Sequence, residues 1–352
     1  MDKIFELNDL VRPNIQSLVP YKSARGDHQE GLLLDANENS FGSPFNTEDN
    51  LHRYPDPGQK KLREAYAEFR DVLPENVFAG VGSDEVIDIL FRVFCEPGRD
   101  RIIHTPPTYG MYKVTADIHN VEVQDAPLTD GFKLDAELLL EKAGANTKMI
   151  FLCSPNNPTG NHLDKETMLK AIDKFDGIVV VDEAYVDFGE RESLAAEAIR
   201  HPNLVVMQSF SKSFGLAGIR LGMAIATSPI IDYMMRIKAP YNINKLTARY
   251  ALEAFDNLET IRFNIEKIRE EKERLAGELE KLSAVKEIYP SDANFLLFRI
   301  KNALSVFQEL AEQGIIIRYR GNEPGCGDCL RATVGTPDEN DQLIATLKQI
   351  TS

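Results

Sequence analysis

From about residue 76 the chain alternates short apolar runs with helical patterns, and nothing else in it constrains the fold as tightly. The runs at 77–79, 101–104, 121–123, 149–153, 178–181, 204–207 and 222–226 are short, and several are rich in Val and Ile, as buried strands are. Helical patterns such as 85–94 and 165–175 separate several of them. Such repetition predicts an α/β fold on a mostly parallel seven-stranded sheet with helices on its faces. Functional side chains are then expected in the loops that leave the strand ends.

The flanking regions read differently. Residues 1–30 contain Arg12-Pro13 and Pro20, which break long elements, so an extended arm is expected, packed with a small domain. Leu32, Leu33 and Leu34 predict a short strand, followed by a turn in which Asp35, Asn37, Glu38, Asn39 and Ser40 crowd acceptors together. From 246 helical patterns run to 255 and again from 260 to 282, the second long enough to brace one domain on another. Strands at 295–300, 315–318 and 330–334 and helices at 304–313 and 340–350 complete a smaller α+β unit. The expected division is an arm over 1–30, a large domain over 31–245 and a small domain over 246–352.

Charge narrows the partners. A formal net charge of -15 repels nucleic acid and acidic membranes, so an anionic ligand needs local positive charge to be held. The chain has neither an apolar leader nor a run of about eighteen apolar residues, which argues against secretion and membrane spanning. Of the four cysteines only Cys326-Gly-Asp-Cys329 has metal or redox spacing, and no second pair completes a zinc site. The balance fits a reducing cytoplasm.

Four loops carry the chemistry. Gly80-Val81-Gly82-Ser83-Asp84-Glu85 follows a strand and opens a helix, where free backbone N–H groups bind anions; alone, Ser83 is equally an N-cap. The spacing matches neither a Walker loop nor the dinucleotide fingerprint. Ser154-Pro-Asn-Asn157-Pro-Thr-Gly160 is a rigid turn that can hold an amide toward a ligand. Asp182 stands at the end of the 178–181 strand, where a carboxylate is costly unless a cationic donor meets it. Ser209-Phe-Ser211-Lys212-Ser213, with Arg220 beyond, sets an amine among hydroxyls and a guanidinium. Such a lysine can form a Schiff base with an aldehyde cofactor. Any one of these loops alone is an ordinary turn; together, in this order after strands, they are not.

With Asn37-Glu38-Asn39, Arg53-Tyr54-Pro55 and Leu330-Arg331-Ala332-Thr333 added, the chain resembles the class II pyridoxal-phosphate-dependent aminotransferases of the aspartate aminotransferase fold (fold type I). Within them it is similar to the branch that acts on histidinol phosphate. The resemblance spans most of the chain. It implies pyridoxal 5'-phosphate covalently held by Lys212, Asp182 against the pyridine nitrogen, and Asn157 and Tyr185 on the phenolic oxygen. It further implies Tyr109 stacked on the ring and the phosphate held by Ser83, Asp84, Ser209, Ser211 and Arg220. Tyr54 is implied to reach the phosphate of the neighbouring subunit, which makes the protein a homodimer. Tyr21, Asn157, Arg318 and Arg331 are implied to bind substrate, with Arg320 near enough to compete with Arg318.

The implied reaction moves an amino group between histidinol phosphate and 2-oxoglutarate, giving imidazole acetol phosphate and glutamate in cytoplasmic histidine biosynthesis. The nearest rival is amino transfer from aromatic amino acids, because an arginine grips a carboxylate as well as a phosphate. Decarboxylation of a phosphorylated amino acid is a weaker rival. A cofactor-binding regulator would need a nucleic-acid-binding module, a Rossmann dehydrogenase its glycine fingerprint and a zinc protein its ligand clusters; none is visible in the sequence.

Overall fold

Seven strands form the main sheet of the computed structural model, which describes residues 5–28, 30–45 and 47–351. They are β1 (Val77–Val81), β2 (Arg101–His104), β3 (Glu122–Asp125), β4 (Thr147–Cys153), β5 (Ile178–Asp182), β6 (Leu204–Ser209) and β7 (Leu221–Ile225). Their order across the sheet is β1-β7-β6-β5-β4-β2-β3. β2 to β6 run parallel, whereas β7 is antiparallel to both β6 and β1. The physical reason is the link from Ser209 to Leu221, which contains only a 3-10 turn at Ala217–Ile219. Without a long helix to cross the sheet, the chain must fold back beside the strand it has left.

β4, β5 and β6 carry almost unbroken apolar side chains because both faces are covered. Helices Gly82–Phe94 and Ser228–Ile237 bury one face over Phe78, Phe151, Val180 and Met207. Helices Lys60–Arg70 and Lys165–Lys174 bury the other over Ile150, Val179 and Val206. A second sheet, β10-β11-β9-β8, is wholly antiparallel and consists of β8 (Val285–Ile288), β9 (Phe295–Ile300), β10 (Arg318–Tyr319) and β11 (Cys329–Thr333). Helices Ala303–Glu312 and Pro337–Thr351, with Leu275 and Leu279 of the long helix Leu258–Glu280, close its core.

Several expectations are corrected. Leu32 and Leu34 form no strand; both are exposed and no neighbouring strand pairs with them. The arm is not simply extended but contains single helical turns at Leu7–Leu10, Pro13–Gln16 and Ala24–Asp27. Its first part lies on the large unit rather than the small one. Val11 and Ile15 enter the core beside Phe91 and Ile230, and Arg12 pairs with Glu96 at 3.0 Å. The helix Lys245–Phe255 likewise joins the large core through Ala251 and Phe255, so the second core begins only near Leu275. The strand expected at 315–318 shrinks to Arg318–Tyr319.

Two contacts hold the site-bearing segments. Gly222 on β7 lies so close to the start of helix Gly82–Phe94 that an added Cβ would stand 2.3 Å from the Ser83 nitrogen and 2.4 Å from the Gly82 carbonyl carbon. Gly82 itself has φ +71 and faces the Arg220 guanidinium. Farther out, the Glu38 side chain, only 3% exposed, accepts from Arg53 at 2.8 Å, from Arg25 at 3.0 Å and from the Tyr54 N–H at 2.7 Å. Burial raises its pKa, but these three donors outweigh burial and hold the carboxyl at about 2.

Substituting Gly222→Ala should destabilise the protein by at least about 1–3 kcal/mol, because backbone rather than a movable side chain blocks the methyl. Thermal melting checks this, and an unchanged midpoint would contradict the close approach. Glu38 has a folded pKa below its ordinary 4.5, so its contribution is complete above that value and disappears as pH falls through about 2. Glu38→Gln should therefore cost on the order of 1–2 kcal/mol at pH 7, after screening at the groove it borders, and nothing near pH 2. Denaturant titrations of both proteins at the two pH values compare them directly.

Candidate active site

Asp182 closes β5 and its side chain is buried. The Tyr112 hydroxyl donates to its Oδ2 at 2.7 Å and the Ala184 N–H to its Oδ1 at 3.0 Å. Burial raises the Asp182 pKa, opposed by those two donors and by the charge of Lys212. Neutral donors leave a buried carboxylate undercompensated, which suits it to a cationic N–H partner.

Lys212 lies in the turn that leaves β6, and its ammonium is 5.5 Å from the Tyr185 ring centroid. Burial, then the repulsion of Arg331, lowers its pKa; Asp182 pulls the other way. The amine is thus neutral at lower pH than a solvated lysine, which prepares it as nucleophile and base. Tyr185 is buried and its hydroxyl pKa is raised by that burial.

The helix Gly82–Phe94 points its N-terminus at the same space and offers the backbone of Ser83 and Asp84. Arg220, in a left-handed conformation with φ +54, pairs with Asp84 at 3.3 Å, and the Tyr109 hydroxyl donates to Asp84 at 3.2 Å. The Ser209 hydroxyl accepts from the Ser211 N–H at 3.2 Å. From the second sheet Arg331 donates to the Asn157 side-chain oxygen and lies over the Phe295 ring at 5.1 Å. Its pKa is lowered by burial and then by Arg320 and Arg318, so this end of the site accumulates positive charge.

One cavity of about 620 Å³ unites these groups. Ser83, Asp84, Tyr109, Asn157, Asp182, Tyr185, Ser209, Ser211, Lys212, Arg220, Arg318 and Arg331 all line it. Tyr21 and Tyr54 do not: Tyr21 is exposed, and Tyr54 stacks on Tyr241 at 4.4 Å outside its own chain's cavity. Arg320 also lines the wall, tied to Glu323 at 2.6 Å. Sequence reasoning missed Tyr112. Its signal was a hydroxyl three residues beyond Tyr109 on an adjoining helix, in a chain whose Asp182 needs a donor. His104 lies aside, paired with Asp125 at 2.7 Å. Cys326 and Cys329 are free and sit in an apolar cluster with Phe132 and Leu297.

The donor set fits pyridoxal phosphate. An amine of lowered basicity, a buried carboxylate, an amide and a buried tyrosine in the same cavity, and a helix N-terminus flanked by hydroxyls and an arginine match its aldehyde, ring nitrogen, phenolic oxygen and phosphate.

Comparison with known proteins agrees. Residues 27–347 match the model of the family described as aminotransferase class I and II. The histidinol-phosphate aminotransferase of Christiangramia forsetii is 45% identical over 99% of each chain. That of Parabacteroides distasonis is 46% identical over 98% of this chain and 99% of its own. The solved Sinorhizobium meliloti histidinol-phosphate aminotransferase, in complex with pyridoxal-5'-phosphate, superposes with a TM-score of 0.78 at 23% identity, covering 96% of each chain. The seven-stranded sheet, the single cavity at its strand ends and the near-complete match to these relatives lead to one assignment: the chain belongs to the class I and II aminotransferases.

Proposed function

We propose that the protein catalyses reversible amino transfer between histidinol phosphate and 2-oxoglutarate, giving imidazole acetol phosphate and glutamate. The observation that carries this reading is the pairing, in one cavity, of the Lys212–Asp182 end with a wall of three arginines, Arg318, Arg320 and Arg331. Full-length relatives at 45% and 46% identity that bear that activity's name support it. Both substrates are anions, and a guanidinium wall meets a phosphate or a carboxylate through paired N–H donors. The protein's net charge of -15 makes that local wall the more necessary.

Pyridoxal phosphate, when bound, supplies an aldehyde and a ring that withdraws electrons from the substrate Cα. Lys212 would hold it covalently through its amine. Ser83, Asp84, Ser209, Ser211 and Arg220 would hold the phosphate, and Asp182 the ring nitrogen. Asn157 and Tyr185 would hold the phenolic oxygen, and Tyr109 would lie against the ring. Neutral Lys212 would be the base that takes the proton from substrate Cα at Nζ and later gives it back. Arg331, with Arg318, anchors the substrate phosphate so that Cα faces that amine. The same residues act in reverse for glutamate and 2-oxoglutarate.

A homodimer is part of the proposal. Tyr54 lies outside its own cavity, and Leu32, Leu34, Phe41 and Phe45 leave apolar surface exposed around it in sequence. Tyr54, and Tyr21 with it, then serve the neighbouring subunit's site. None of the described helices is long and apolar enough to cross a membrane, and a cytoplasmic enzyme fits the free cysteines.

Single-turnover absorbance, following the amino group onto the cofactor, should be fast at low histidinol phosphate and poor with phenylalanine. Preference for phenylalanine would move the enzyme to aromatic substrates and overturn the phosphate reading. Lys212→Ala should lower kcat by more than about 1,000-fold. Arg331→Ala should lower kcat/KM for histidinol phosphate by about 100-fold, since it leaves a buried anion without its paired donor.

A further inference from the structure

Behind the cavity, on the side away from substrate, lies a buried polar chain that no step above uses. Arg70, the last residue of helix Lys60–Arg70, donates to Asp187 at 2.8 Å and to the Gln208 side-chain oxygen at 2.6 Å. The other Asp187 oxygen accepts from the Ser213 hydroxyl at 2.5 Å. Gln208 also accepts from the Tyr66 hydroxyl and donates to Glu183 at 2.8 Å. None of these residues lines the cavity.

Their positions in the chain are the informative part. Ser213 adjoins Lys212, Gln208 adjoins Ser209, Glu183 adjoins Asp182, and Asp187 follows Tyr185 by two. Each site residue therefore faces the cavity while its neighbour is tied into one network anchored on a single guanidinium. The turn carrying Lys212 is fixed from its flanks as well. Phe210 and Phe214 pack on each other at 4.3 Å, on Phe255 at 5.7 and 5.8 Å, and on Tyr66 and Phe69. The aromatic contacts hold the two ends of the turn, and local bonds from the Ser211 N–H to the Ser209 hydroxyl at 3.2 Å and from the Gly215 N–H to the Lys212 carbonyl at 3.0 Å shape it, while the Ser213–Asp187 bond ties the residue after the lysine to the network.

We propose that Arg70 and Asp187 are positioning residues for Lys212, acting through the Ser213 hydroxyl to fix the backbone from which the reactive amine extends. This rests on the reading of Lys212 as the reacting amine. The fixed backbone keeps the amine withdrawn from water and aimed along one line, and its loss lets Nζ sample positions from which it cannot reach Cα.

The test compares wild type with Ser213→Ala, Arg70→Lys and the double variant, all as full-length protein. Ser213→Ala removes only the last link and leaves the Arg70–Asp187 pair in place. In the cofactor-loaded enzyme, kcat should fall about tenfold or more while KM for both substrates changes little. The double variant should lose no more than the worse single variant, because both act along one chain of contacts. Before cofactor is added, Lys212 labelling by trinitrobenzenesulfonate, read by peptide mass, should show its pH midpoint rise toward an ordinary lysine. Unchanged midpoints with kcat unaltered, or altered additively, would overturn the proposal even if melting temperatures fall, for that is a purely structural role. Should wild type transfer no amino group, the assigned reaction fails, and the labelling midpoint still decides the positioning.

Discussion

A carboxylate buried at the end of a central strand is the constraint on which the rest of the site depends. Asp182 cannot be moved toward water without breaking the pairing of β5 with β4 and β6, and it cannot stay ionised without donors. Tyr112 and the Ala184 N–H supply two, from a helix and from the strand's own turn. What they leave uncompensated suits Asp182 to a cationic N–H partner, and its charge raises the pKa of Lys212 against the lowering effect of burial. The donors around Asp182 and the lowered basicity of Lys212 are thus linked through one expensive side chain.

Positive charge is handled in the opposite way. Arg220 is spent on the helix N-terminus and Asp84, while Arg318, Arg320 and Arg331 stand together on the second sheet. The Arg331 pKa is lowered first by burial and then by Arg320 and Arg318, a concentration of charge that a bound anion would relieve. Two sheets meet at the cavity: the seven-stranded one brings Asp182 and Lys212 to its strand ends, and the antiparallel one contributes Arg318 and Arg331.

Much of this was legible from the chain. β4, β5 and β6 are covered on both faces, so each must be a continuous apolar run, and such runs are easy to see. β8 was missed because Val285–Ile288 is an edge strand with two charged residues, a pattern shared with any solvated loop. Leu32 to Leu34 look like a strand for the opposite reason: apolar residues suggest burial, but no neighbouring strand pairs with them. The motif loops identified nearly every cavity residue, since each loop leaves a strand that the apolar pattern had already marked.

Sequence by itself determined the sheet and the family and singled out Lys212 and Asp182 as candidates, because these rest on local patterns: apolar runs, turn residues and motif spacing. Only the tertiary structure decided who stands behind them. Arg70 and Asp187 lie 117 positions apart, and Tyr112 reaches Asp182 across 70. No periodicity encodes such a pair. Each partner looks like an ordinary helix or turn residue until packing brings the two together and removes much of their solvent, and only then do they depend on each other.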